Sequence, residues 1–128
     1  MTQVTGVYVD PDNFVKEHTI ENDIHEYHRL LDCDCFDVTS VKVNGVYYDV
    51  FCDDEGLFKS HPKPSIADIK GHVRVVGKCF FAGHDAEGNT ISLERGDIKN
   101  IMNRIRMVID HSTGQYHEIV MCDTLGED

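Results

Sequence analysis

The sequence contains no tryptophan, few prolines and no long apolar run. No segment approaches the ~20 apolar residues that a membrane-spanning helix requires. The opening stretch MTQVTGVYVD has neither the basic region nor the apolar stretch that directs export. A soluble, cytoplasmic protein is expected. Five cysteines are an odd number for a disulfide framework, in a chain large enough to bury a core without staples, so reduced thiols are expected.

Bases are the scarcest charged residues. Twelve Lys and Arg stand against 23 Asp and Glu, a net charge of −11, and residues 1–60 hold 13 acids against 4 bases. Such a field repels phosphates, because binding them requires Lys and Arg to displace condensed counterions. Direct contact with nucleic acid is therefore not expected. A basic protein partner suits the charge, including one whose nucleic-acid groove is filled by imitation of phosphate. Solubility is the plainer reading of the same charge.

Signatures of known chemistry are also missing. There is no G-x-S-x-G elbow, phosphate loop, dinucleotide-binding glycine pattern or H-E-x-x-H pair. The string Asp53-Asp54-Glu55-Gly56 suggests a calcium loop, but the twelfth position, which needs a bidentate Glu, is Pro64. Counting from its echo, Asp85-Ala86-Glu87-Gly88, that position is Gly96. Both strings match instead a hairpin loop in which a turn is closed by glycine. For zinc, His25, His28, Cys33 and Cys35 are the nearest candidates, and their spacings do not match the usual ligand pairs. No metal, cofactor or enzymatic activity is expected.

What is present reads as one globular domain. The 41% hydrophobic and 27% charged composition lies far from that of disordered chains, and 128 residues suffice for one core. The strongest local signal is FDVTSVKV-NG-VYYDVFC. Asn-Gly between two β-branched and aromatic runs is the dipeptide of a type I′ hairpin. Its register follows: Val43 faces Val46, Val41 faces Tyr48 and Thr39 faces Val50, with Val41, Val43, Val46, Tyr48 and Val50 on the core face. The same alternation carries Cys33, Cys35 and Cys52 inward and leaves Phe36, Val38 and Phe51 on the polar face. Either a bulge shifts the register or something covers that end of the sheet.

Periodicity predicts a helix over 20–31, with Thr19 and acidic residues near its start, and a second carrying Ile98, Ile101, Met102 and Ile105, started by Ser92 or Asp97. Arg95, Lys99, Arg104 and Arg106 would form its basic side, read as a solvated face. Strands are predicted at 4–9, at 72–83 with a bulge at Gly77, at 89–93 and at 115–122, and a rigid loop at His61–Ser65. The fold class is α+β, an antiparallel sheet of about five to seven strands with two packed helices. The oligomeric state is open, since exposed edge strands can pair.

The order of these pieces resembles a family of small domains described as a domain of unknown function, number three-eight-four-six. The likeness spans about residues 20–102. It rests on the turn Asp54–Leu57, the G-x-V-x-V-V-G strand Gly71–Gly77 and the D-x-E-G-x-x-x-S-L segment Asp85–Leu93. At His61-Pro62-Lys63-Pro64 the chain departs from the family's Leu-Pro followed by Asn-Arg. The resemblance implies a setting in phages, plasmids and other bacterial mobile elements, often beside antirestriction-type genes, and supplies no catalytic residue.

Charge and resemblance together lead to the expectation of a non-enzymatic protein-binding protein in the host cytoplasm. Its sharper form is a counter-defence inhibitor, of anti-CRISPR or antirestriction type, in which Asp32, Asp34, Asp49, Asp53, Asp54 and Glu55 engage a basic nucleic-acid-binding site. The alternatives are an accessory or regulatory domain without counter-defence activity and a small metal-dependent enzyme.

Overall fold

Asn44 and Gly45 both adopt positive φ, 52° and 83°, as a type I′ turn demands. The strands on either side pair without interruption from Val43↔Val46 to Phe36↔Asp53, in the register that the turn imposes. In the computed structural model, which describes residues 2–55 and 63–124, this hairpin forms one flank of a larger sheet.

In chain order the elements are β1 (Gln3–Val9), β2 (Val15–Glu21), α1 (Ile24–Leu31), β3 (Phe36–Val43), β4 (Val46–Asp53), β5 (Pro64–Asp68), β6 (Val73–Val76), β7 (Cys79–His84), β8 (Thr90–Ile91), α2 (Arg95–Met102), β9 (Ile105–Ile109) and β10 (Tyr116–Cys122). The class is α+β, but the expected single sheet is two. The first has the order β2-β1-β7-β4-β3, with β8 on β7; the second has the order β6-β5-β10-β9. All pairings are antiparallel except β5 with β10.

The expected strand over 72–83 is where one sheet becomes two. Gly77, at φ 77°, is no bulge within a strand; it ends β6 in the second sheet and leads to β7 in the first. Only a residue without Cβ takes that backbone turn at little cost. Pro64, expected in a loop, opens β5, a strand-initial place where a missing N–H is tolerated. His61 and Pro62 lie outside the described residues.

Both helices are shorter than the periodicity predicts. Asp23 caps α1, its carboxylate accepting the His25 N–H at 2.8 Å, so the helix begins there rather than near Thr19, and Ile20 belongs to β2. Glu94 caps α2 in place of Ser92 or Asp97, with Asp97 completing a reciprocal capping box. Ser92 instead accepts the Thr5 N–H and ties β1 to the loop before the helix. The helix stops at Asn103, so Ile105 starts β9 rather than extending the helical stripe.

The first sheet is the middle layer. Val7, Val9, Val41, Val43, Tyr48, Val50 and Phe81 project from one face onto Ile66, Val75 and Val120 of the second sheet and onto Ile98 and Ile101 of α2. Val4, Phe51, Phe80 and Ala82 project from the other face onto Tyr27, Leu30 and Leu31 of α1. Two of the three apparent misfits of the hairpin's polar face, Phe36 and Phe51, are thereby explained, while Val38 is exposed. No bulge intervenes; α1 covers Phe51, whose ring stacks on Tyr27 at 4.4 Å between centroids, while Phe36 packs beside both.

Three inward assignments fail locally. Val46, at the hairpin tip, lies beyond the second sheet and is exposed. Asp32 takes the left-handed conformation at the end of α1, so no strand runs through 32–35; Cys35 is exposed and Cys33 packs on the α1 layer. Cys52 does face inward, half-buried against the core between the sheets.

Gly6 marks the tightest place in this packing. A Cβ there would lie 2.0 Å from the Phe81 carbonyl oxygen and 2.8 Å from the Phe80 ring. Gly6→Ala is expected to lower stability by ~3 kcal/mol, because the obstructing atom is backbone. Tyr27→Ala is expected to cost ~3–5 kcal/mol through the cavity left under Phe51. Urea unfolding of both variants checks this, and a loss below ~1 kcal/mol in either would contradict the packing described.

Candidate functional site

Phe36 pairs with Asp53 at the end of the hairpin away from the Asn-Gly turn, and the Asp54 N–H reaches the Cys35 carbonyl at 3.4 Å. The segments 32–37 and 53–55 therefore meet. Asp32, Asp34, Asp53, Asp54 and Glu55 are gathered at this end. Asp49 is not: it lies farther along β4, where the His84 ring contacts its carboxylate at 3.1 Å.

The five gathered residues are not equivalent. Asp32, Asp34, Asp54 and Glu55 are exposed, whereas Asp53 is buried and accepts the Glu55 N–H at 2.9 Å. Beside them opens a cleft of 240 Å³, with Asp37, Thr39, Cys52, Asp53 and Asp54 on one wall and Arg74, Val75 and Val76 of β6 on the other. Asp37 is absent from the sequence-based set. Its signal was available, because the alternation Val43, Val41, Thr39 continues to position 37 on the core face. That face becomes a cleft wall where the second sheet ends.

The cleft shapes the chemistry of its cysteine. Burial pushes the Cys52 thiol up to about 11, and the charges of Asp37, Asp53 and Asp54 push in the same direction. At neutral pH the group is a thiol rather than the thiolate that nucleophilic chemistry uses. Its cross-strand neighbour Cys79 is fully buried, and burial raises it well above the ordinary range. The zinc candidates do not converge: His25 and Cys35 are exposed and the His28 ring contacts the Cys33 carbonyl at 3.0 Å. Among the described residues no three metal-ligating side chains come together.

The two acidic turns also part company. Asp85–Gly88 joins β7 to β8, with Gly88 at φ 84° and the Asp85 carboxylate accepting the Glu87 and Asn89 N–H groups. That is the expected hairpin. After Asp53 the chain makes no hairpin with β4, whose two edges are taken by β3 and β7, and the next described strand, β5, lies in the other sheet. Gly56 is outside the described residues.

Much of the acidic surplus serves the backbone. Asp10, Asp23, Asp53, Asp68, Asp85 and Asp110 each accept the N–H two residues on, and Asp123 accepts those of Asn44 and Gly45 at 3.0 and 2.8 Å. The first six are Asx turns, which replace a backbone acceptor by a carboxylate, and Asp123 does the same for a distant turn. Backbone donation from Asn89 holds the Asp85 carboxyl below its usual range, and donation from Ser112 does the same for Asp110. For Asp68 burial acts upward, but the backbone and ring of His72 and the Lys70 N–H outweigh it, and the carboxyl is again lowered.

The basic residues regroup as well. Arg95 on α2 pairs with Glu17 of β2 at 2.6 Å. Arg104 follows the helix and donates to the Asn44 side chain, and Arg106 lies on β9, so the expected basic helix side does not form. Arg104 and Arg106 instead line a 310 Å³ hollow with Lys42 and Asp123.

Two outcomes follow. Carboxyls lowered in the native state contribute stability that is complete above the unfolded value and is lost as pH falls through the native one. Stability measured by urea unfolding is therefore expected to drop below about pH 4, with Asp85→Asn reducing that acid sensitivity. Alkylation of Cys52 is expected to be slow at neutral pH and to rise towards an apparent value of about 11. Asp37→Asn with Asp54→Asn lowers that value; an unchanged profile would show that the carboxylates do not act on the thiol.

Neither the curated proteins nor the solved structures contain a match to this chain. Among the described residues no helix is long and apolar enough to cross a membrane. A family model described as Domain of unknown function (DUF3846) matches residues 4–106, taking in nearly all of β1, most of β2 and the start of β9 beyond the region legible as a resemblance, and the chain belongs to that family.

Proposed function

We propose that this protein acts by binding another protein, with the acidic end of the β3–β4 hairpin as the contact. The observation that carries the reading is the placing of exposed Asp32, Asp34, Asp54 and Glu55 at one end of the hairpin, where Asp37, Asp53 and Asp54 line a hollow whose opposite wall holds one base, Arg74. Carboxylates collected on rigid strand ends form a local negative field that a basic surface recognises, with gains in association rate and register. Asp53 positions the chain rather than meeting the partner, because it is buried and accepts its own turn's N–H.

The partner class is a basic nucleic-acid-binding protein, and the mobile-element setting that the resemblance implies makes a host nuclease or restriction enzyme the favoured target. Occupying its groove in place of phosphate would block it without any chemistry. A complex between this protein and such an enzyme is expected to weaken steeply between about 50 and about 500 mM salt. The combined variant Asp37→Asn, Asp54→Asn, Glu55→Gln is expected to bind about tenfold more weakly at an unchanged melting temperature. Calorimetry and nuclease assays check both. Salt-insensitive binding, or full binding by the variant, would overturn the acidic contact; binding without inhibition would favour a regulatory role over counter-defence.

A further inference from the structure

We propose that β9 pairs with the β9 of a second copy of this chain, antiparallel about a two-fold axis at Met107, so that the four-stranded sheets of two protomers become continuous. The inference is independent of the acidic face.

β9 is the outer strand of the second sheet, and no described strand pairs with its free side. Backbone bonds at its two ends define which groups face outward. The Met121 N–H donates to the Arg104 carbonyl and the Asp110 N–H donates to the Gln115 carbonyl, each at 2.8 Å. In the antiparallel register with β10, the even positions 104, 106, 108 and 110 therefore turn their backbone groups inward. Ile105, Met107 and Ile109 present N–H and C=O outward.

A two-fold antiparallel partner must match these odd positions with odd positions. Centred on Met107, the pairing sets Met107 against its own copy and Ile105 against Ile109 twice, each as a hydrogen-bonded pair. The flanking residues then complement one another, since Arg104 lies opposite Asp110 of the second copy at both ends. Moving the centre to Ile105 would place Arg104 opposite Arg106, like charge on like. Moving it to Ile109 would run the pairing into the turn closed by Gly114 at φ 75°. Centring on Arg106 would set that cation against its own copy, and centring on Val108 would carry Ile105 against His111, in the turn beyond the strand. One register survives.

Charge selects the edge as well as the register. Two chains of net charge −11 repel, so they meet at least cost where acids are few. β9 reads IRMVI, with one base and no acid. The outer strands of the first sheet carry Glu17 and Glu21 in β2 and Asp37 in β3, and β6 borders the acidic cleft. Met107 is 62% exposed, Ile109 42% and its cross-strand neighbour Tyr116 66%, so the edge also displays apolar surface. Unprotected apolar edges of this kind are pairing templates.

Sedimentation or light scattering between about 10 and about 500 µM reads the result. The mass is expected to move from 14.5 kDa towards twice that value. Met107→Pro removes an outward N–H and leaves the ladder to β10 intact, so it is expected to give a folded monomer. Met107→Lys places two ammonium groups face to face across the axis and is expected to do the same while keeping every backbone donor. Arg104→Glu, which opposes Asp110 of the other copy, is expected to weaken association at least about tenfold. A chain that stays at 14.5 kDa throughout, or a dimer that survives Met107→Pro or Met107→Lys, overturns the proposal.

Discussion

The fold depends on two central strands having to be covered on both faces. Cys79, Phe80, Phe81 and Ala82 are all fully buried, so β7 sends alternate side chains into two separate apolar layers. One layer cannot serve both faces of a pleated strand, and the chain supplies two covers: α1 above Phe80 and Phe51, and the second sheet with α2 below Phe81 and Val50. The close approach at Gly6, the stacking of Tyr27 on Phe51 and the passage of the chain between sheets at Gly77 are consequences of that arrangement. Polar ties hold the layers in register, among them the Val15 N–H to the Glu118 carboxylate and the Asp123 N–H to the Lys42 carbonyl.

Aspartate has two distinct uses here. At the turns it replaces a backbone acceptor, and the energetic return is local: each carboxylate satisfies N–H groups that the strands and helices leave over. Asp123 extends this use across the molecule by accepting both N–H groups of the Asn-Gly turn, linking the end of β10 to the hairpin tip. Around the cleft between β3, β4 and β6 the two uses meet: Asp53 accepts the Glu55 N–H and Asp37 the Val38 N–H, while Asp54 and Glu55 are displayed to solvent. Net charge alone does not separate these uses; hydrogen bonding and exposure together do.

The hairpin at Asn44-Gly45, the turn at Asp85–Gly88 and the cores of β1 and β10 were legible because they are local. Turn chemistry acts over four residues and alternation over six. Neighbouring helix and strand signals were harder to part. Ile20 and Ile105 continue helical spacings, yet each falls in a strand, because Asp23 and Asn103 set the helix limits first. β2, β5 and β9 escaped notice, as none of them alternates cleanly between apolar and polar residues. At the candidate site, five of the six expected acids come together, and Asp37 had to be found by following the core face past the last buried valine.

By itself the sequence determined where the chain turns, which residues are apolar and in what period, and the sign and uneven spread of its charge, because these depend on residue type and close neighbours. Only the tertiary structure decided that an unbroken pattern from 72 to 83 would divide between two sheets, that Phe51 would find a helix rather than water, and that Asp53 would be buried while Asp54 is displayed. Each of those outcomes turns on which distant strand lies alongside, and strand pairing is set by the summed burial of both partners, a quantity that no short stretch of chain contains.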